Sequence, residues 1–389
     1  MATRADVLFA QTTTLIQFNG GGTQYVVQKA NGDLFLFYVD SGSDVAFKSS
    51  TNNGITWSNP TVVFAGTVTA LSVWYDRWSD IASDVVRVAY SESATDDTLY
   101  RGVDISDTAL PVQGTQTSIF AGVSTATGGN LSITRARGGN LYCHTMLDAG
   151  AEGGFYRSTD AGATWGSRTI NETLATTDQI ILLPGWGADN QDIMAFFWDA
   201  SANEISRQLY DDSADTWSET SIAASMTDQV ATIAFPHFAA TVDIANSQNL
   251  LVAWSNVDTL NSDLRCWTVT DSTITEVTNV VLNSTDDQGL AAIGIDTTTG
   301  HWYVFYGGKS DGSEVYLTNI NIYYKKSTDS GTTWGSETLL TTRLRDITWL
   351  ICTPRFVNHF GVAFHSDVSL DEIHYSAKLP TTGGSIMIN

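Results

Sequence analysis

Three stretches of the chain spell the same turn: STNNGITWSN from residue 50, STDAGATWGS from 158 and STDSGTTWGS from 327. A fourth, worn copy, YDDSADTWSE, aligns Trp217 with Trp165 and Asp212 with Asp160. The tryptophans therefore fall at 57, 165, 217 and 334, with gaps of 108, 52 and 117 residues. Self-similarity at a fixed period marks a repeat architecture, and each long gap is about twice the short one, so each should hide one degenerate copy. Both hidden copies can be read, at 99–120 (LYRGVDISDTALPVQGTQTSIF) and at 263–282 (DLRCWTVTDSTITEVTNVVL). A seventh unit, its turn rewritten around Pro380, follows Trp334.

Upstream of each turn the grammar is constant. In the first unit TQYVVQKA, DLFLFYVD, VAFKSS and TVVFAG are short runs rich in β-branched and aromatic residues, punctuated by Gly, Asn, Asp and Ser, which is the signal of a strand meander. Helical periodicity is absent. Four strands per unit, seven times over, predict an all-β chain, a seven-bladed β-propeller of four-stranded antiparallel blades with the repeated turns between strands 3 and 4. The expected blades are 19–66, 67–122, 123–172, 173–224, 225–283, 284–342 and 343–389, all in one domain, with 1–18 left over as a ring-closing strand. In the turn, Gly54, Gly162 and Gly331 can take the positive φ of a tight reversal. Asn52, Asp160 and Asp329 can bind nearby amides, as can Ser50, Ser158 and Ser327, and Trp57, Trp165, Trp217 and Trp334 supply a large ring to bury.

The motif resembles the Asp-box, or bacterial neuraminidase repeat, of sialidases and other propeller proteins, and the resemblance spans nearly the whole chain. It implies fold more than function, because in those families the box is structural and lies on the face away from the binding site. A working sialidase is expected to carry an Arg-Ile-Pro motif in its first blade, three arginines gripping a carboxylate through their planar forks, a Tyr/Glu nucleophile pair and six blades. Here no Arg-Ile-Pro occurs, seven units are counted, and Arg77, Arg135, Arg137 and Arg355 stand in contexts that match no part of the pattern. The sialidase catalytic set is therefore not expected, and no catalytic residue is assigned. Propeller enzymes acting on neutral polysaccharides also carry such boxes, so a glycoside hydrolase, sialidase-like or cleaving a neutral polysaccharide, stays open as the alternative.

Charge narrows the partners. With 42 acidic against 19 basic side chains the formal charge is −23, which repels phosphate backbones and anionic headgroups; neither nucleic acid nor membrane is an expected partner. The second-to-third-strand loops carry Asp40, Asp97, Asp148, Asp199, Asp258, Asp311 and Asp367, with Lys309 as the local offset, and would ring one face. They read first as solubilising loops and second as a shallow calcium site; no metal or other cofactor is assigned. Cys143, Cys266 and Cys352 sit in apolar runs without metal spacing and read as buried thiols. The start of the sequence holds a four-residue apolar run, Val7 to Ala10, too short for a secretory leader.

One dense cluster lies outside the repeats: Trp74, Tyr75, Asp76, Arg77 and Trp78, in SVWYDRWSD. Aromatics beside a carboxylate and a guanidinium suit neutral sugars, and equally suit the core between blades. Trp186, in PGWGADNQD, is a second such candidate. The expectation is a non-catalytic structural or binding propeller, similar to those encoded by tailed bacteriophages: a virion component, on capsid or tail, assembled in the host cytoplasm. Its partners would be other virion or surface proteins and a glycan. Secretion is the alternative localisation.

Overall fold

Runs such as LFLFYV (Leu34–Val39) and IMAFFWD (Ile193–Asp199) are buried on both faces, while an outermost strand such as TWSETSIA (Thr216–Ala223) is largely exposed. That gradient follows from a radial arrangement, in which inner strands are hemmed by the next sheet on either side and only outer strands meet water. The structure, a computed structural model, describes residues 6–12, 24–76, 83–122, 131–147, 152–170, 178–224, 226, 238–255, 262–284, 289–311, 313–314, 319–341, 344–357, 359–367 and 371–378. It is a seven-bladed β-propeller with four-stranded antiparallel blades. Its helical content among these residues is a single 3-10 turn, Ile244–Asn246.

Blade 1 runs outward through Val26–Gln28, Leu34–Val39, Val45–Ser50 and Thr61–Phe64. Blade 2 runs through Val68–Tyr75, Val85–Glu92, Thr98–Asp104 and Thr117–Phe120, with the short strand Val112–Gln113 also on Thr98–Asp104. Blades 3 to 6 begin on the inner strands Ser132–Arg135, Gln179–Pro184, Phe238–Asp243 and Gly289–Asp296. Blade 7 holds Ile347–Cys352, Phe360–Asp367 and Asp371–Lys378, and its fourth strand is Val7–Thr12 from the other end of the chain. The ring therefore closes on a strand pairing rather than a covalent link, which leaves no unpaired edge at the seam. The buried clusters span neighbouring blades: one joins Phe9, Phe47, Val88 and Ala363, another Leu250, Phe305 and Phe364.

The repeated turns fasten blades 1, 3, 4 and 6 each to the one before it. In blade 3, Ser158 Oγ accepts the Gly162 amide (2.8 Å), while Asp160 accepts the Thr164 amide (2.8 Å) and hydroxyl (2.6 Å). Blade 6 repeats the set with Ser327, Gly331, Asp329 and Thr333. Blade 1 does so with Asn52, whose Oδ1 accepts the Thr56 amide and whose Nδ2 donates to the Thr56 hydroxyl. Gly54, Gly162 and Gly331 take φ of 77°, 95° and 83°. Trp57 packs edge-on against Phe9 and Tyr375 of blade 7, and Trp165 against Tyr100 of blade 2. The indole N–H of Trp217 donates to the Thr169 carbonyl and that of Trp334 to the Thr278 carbonyl, each 2.8 Å away. The worn fourth copy keeps its tryptophan but not its aspartate role. Asp212 instead pairs with Arg157 (2.6 Å) and Arg168 (3.6 Å), and the turn amide of Ala214 is held by Asp211.

Candidate functional site

In an antiparallel meander the first-to-second loops share one end of the ring with the third-to-fourth turns. The second-to-third loops and the blade links share the other. On the second end the described aspartates are engaged by their own loops or by the blade link beside them. Asp40 accepts the Gly42 amide, Asp97 the Gly122 amide and Asp199 the Ser201 and Ala202 amides, while Asp311 pairs with Lys309. Acceptors spent on backbone hold loops in shape, and among the described residues no group of three metal-type ligands converges. Asp148 and Asp258 lie outside the described residues, as does the Asp367 side chain.

The aromatic cluster singled out in the sequence lies at the other end, where the repeated turns are. Trp74 is 1% exposed and Tyr75 is buried on the inner strand of blade 2, so both pack the core between blades. Tyr75 donates its hydroxyl to Asp84 (2.6 Å) and its amide bonds Gln24 of blade 1 (2.9 Å). Asp76, also buried, forms an ion pair with Arg135 of blade 3 (3.0 Å). Arg77 and Trp78 lie outside the described residues. Trp186 is half-buried and far along the ring, on the first loop of blade 4. Its indole N–H donates to Asn249 (3.1 Å), its amide bonds Asp271 (2.7 Å), and the Arg137 guanidinium lies 5.4 Å from its ring. Arg137 also donates to the carbonyls of Gly185 and Gly187. Trp186 thus ties blades 3, 4 and 5 together and packs against the far side of the same apolar cluster that buries Trp74. Arg355 sits on a short strand of its own that pairs in parallel with Gly289–Asp296.

What the structure places beside the Trp74 cluster is a cavity of about 530 Å³ between blades 2 and 3. Its wall includes Val85, Arg87, Tyr100, Gly102 and Thr117, and its mouth Asp104, Val112, Asp160 and Ala163. The cavity exists because blade 2 departs from the common pattern. Its third strand is followed by an excursion through residues 105–116 instead of a tight turn, and Gly102 stands in register with Arg87, which stands in register with Trp74. A side chain at 102 would close on Val85, the Tyr100 hydroxyl and the Arg87 guanidinium. The apolar wall and few polar groups match the usual make-up of ligand pockets. Arg87, whose strand reads VVRVAYSE, is not singled out by sequence; the one signal it gives is a lone charge in an otherwise apolar run. Both mouth carboxylates are held in the charged form. The Ser106 amide keeps Asp104 below the usual range, and the Thr164 hydroxyl and amide bring Asp160 to about 2.

A different carboxylate behaves in the opposite way. Asp192, just before the second strand of blade 4, is pushed up to about 6, first by burial and then by the Asp189, Asp211 and Asp271 carboxylates. Its folded value lies above its unfolded one, so the folded chain holds this proton more tightly and the charged form costs stability above about pH 6. That cost fades as the pH falls from 6 towards 4. A shift of this size is worth ~3 kcal/mol for a fully buried group, and solvent screening at a half-exposed one reduces it to about 1 kcal/mol. Asp192→Asn keeps an acceptor for the Asp212 amide and should raise stability at pH 7.5 while matching the parent near pH 4. Denaturant melts of both at the two pH values check this, and parallel pH slopes would contradict it.

Burial also pushes the three cysteine thiols up, so they stay protonated and inert.

No family model matches the chain, and no curated protein matches it. Solved structures of similar fold do exist. A PL25 polysaccharide lyase, an ulvan lyase bound to -[GlcA(1-4)Rha3S]-, superposes with a TM-score of 0.59 at 11% identity over 95% of each chain. A mutant of the Aleuria aurantia lectin, in complex with α-methyl-L-fucoside, gives a TM-score of 0.50 at 10% identity over 86% of this chain and 98% of that one. A Hadza microbial sialidase gives a TM-score of 0.46 at 12% identity over 94% of this chain and 65% of that one. At such identities the shared property is the propeller fold.

Proposed function

We propose that this protein is a non-catalytic, glycan-binding β-propeller of the Asp-box kind. The observation that carries the reading is the cavity between blades 2 and 3, which lies on the turn-bearing end rather than on the opposite face that the Asp-box resemblance implies for binding. At about 530 Å³ it falls within the ~300–1,000 Å³ of ordinary ligand pockets. Its wall is apolar enough to cover the C–H face of a sugar ring, and its hydroxyl, carboxylate and guanidinium groups can meet sugar hydroxyls. Glycosidases need one carboxylic acid that keeps its proton near neutral pH. Asp104 and Asp160 are both held charged, which favours binding over cleavage here. Two propellers of similar fold were captured with saccharides, so glycans are the first ligand class to try.

The role proposed for such a binder is attachment as a virion component, on capsid or tail of a tailed bacteriophage. A closed ring of seven blades and a net charge of −23 suit a protein exposed on a particle. The hydrolase reading rests on a different feature, the raised Asp192. The deciding experiment probes a glycan array with the intact protein and follows product release from the glycans that bind. Binding without turnover is expected, with the chain present by mass spectrometry in purified particles. Turnover that stops on Asp192→Asn would replace the binding reading with the hydrolase one, and a blank array would end the glycan reading.

A further inference from the structure

Arg87 is 8% exposed and lines the cavity between blades 2 and 3. A guanidinium carries five N–H donors and no acceptor, and among the described residues Arg87 uses them on one partner, the Tyr100 hydroxyl at 3.0 Å. Arg207 shows how the same fold treats an arginine buried to the same degree. That residue, 7% exposed, donates to the Thr270 and Asp271 carbonyls and to the Thr220 hydroxyl. Among the described residues no carboxylate stands within ion-pair distance of Arg87. Its charged neighbour Arg135, close enough to feel its field, takes up Asp76. Asp76 is thus taken by Arg135, and the inner wall of the cavity carries a guanidinium without an ion-pair partner among the described residues, while the two carboxylates of the cavity stand at its mouth.

Keeping an unpaired charge out of water is expensive, and an anion brought to it recovers much of that penalty. The mouth adds a second requirement. Asp104 and Asp160 repel a bare oxyanion; Asp160 has both oxygens engaged within its turn, whereas Asp104 spends one oxygen on the Ser106 amide and suits a ligand that offers hydroxyl donors. A hydroxylated carboxylate meets both demands, whereas acetate or sulfate meets the first alone and a neutral sugar the second alone.

We propose that this cavity binds a uronic acid residue, its carboxylate on the Arg87 guanidinium and a hydroxyl donating to Asp104. The proposal rests on the glycan-binding reading of the same cavity and names its sugar class. Gly102 is then a specificity-determining position, since any side chain there would occupy the space beside the guanidinium.

Calorimetric titration of the intact protein with methyl β-D-glucuronide, methyl β-D-glucoside and sodium acetate tests it. The glucuronide should bind roughly ten-fold or more tightly than either control, the difference a charge-assisted pair makes. Arg87→Met should bring glucuronide down to the level of glucoside. Ala163→Trp plugs the mouth from an exposed turn position, one that carries Ile55 in blade 1 and Thr332 in blade 6, and should abolish binding whether or not Arg87→Met folds. Equal affinity for glucuronide and glucoside, both lost in Ala163→Trp, overturns the uronate assignment and leaves the glycan reading standing. Glucuronide binding untouched by Ala163→Trp overturns the proposal by putting the site elsewhere. No binding of either sugar, with a positive array, likewise overturns the uronate assignment alone.

Discussion

Removing residues 1–12 should abolish the cooperative unfolding transition and send the chain into aggregates. Val7–Thr12 is the fourth strand of blade 7 and pairs antiparallel with Asp371–Lys378, so its loss strips that strand of its outer neighbour and removes the pairing that closes the ring. Phe9 goes with it. That ring is 3% exposed, meets Tyr38 and Trp57 edge-on at 5.1 and 4.9 Å, and lies under the Lys48 ammonium. Burial of one phenylalanine alone is worth ~3–5 kcal/mol by truncation, a large share of the ~5–15 kcal/mol that holds an ordinary domain together. An unpaired, flat edge is in addition a template for pairing with another chain. Calorimetry and light scattering of the truncated chain check the outcome; a soluble monomer melting in one sharp transition would contradict strand closure.

Gly162→Ala, like Gly54→Ala, should be among the most damaging of the conservative point changes in the turns. Two effects add there. The residue takes φ of 95°, which an L side chain adopts only with strain of ~1–3 kcal/mol, and its Cβ would be driven into the Tyr100 ring, a form of overpacking that costs ~1–3 kcal/mol. Gly300 separates the two, because it takes φ of 72° with open space around its absent side chain. Gly300→Ala should therefore show the backbone strain alone. Denaturant titrations should place Gly162→Ala about 2 kcal/mol or more below Gly300→Ala. Equal losses would mean that the turn does not press on the neighbouring blade, and with that the clasp would be disproved.

The same residues explain how far the sequence could be read. Ser, Asp, Gly and Trp at fixed offsets are local requirements of one hairpin, so their repetition exposes the number of blades without any knowledge of long-range contacts. Alignment by position fails where a contact from another blade intervenes. Asp212 matches Asp160 by count, but Arg157 and Arg168 draw it into an ion-pair network. The Trp74–Asp76 cluster is visible as composition, and burial decides its role: Trp74 packs the core and Asp76 is taken by Arg135.

Arg87 was hidden for a different reason. In VVRVAYSE the arginine stands among apolar residues on both sides, and nothing local tells whether its face of the strand meets solvent or another blade. It is buried because blade 3 packs its repeated turn over that face, and it lines a space because Gly102 lies opposite it. Neither circumstance is local in sequence. The unusual feature, a guanidinium deep in a wall of an acidic protein, emerges only once the blades are in place.

A crystal structure of the protein soaked with methyl β-D-glucuronide tests the proposed site most directly. Sugar density is predicted between blades 2 and 3, with the carboxylate within hydrogen-bonding distance of Arg87 and a ring hydroxyl facing Asp104. Density instead among the second-to-third-strand loops at the opposite end of the ring, with the cavity empty, would contradict it.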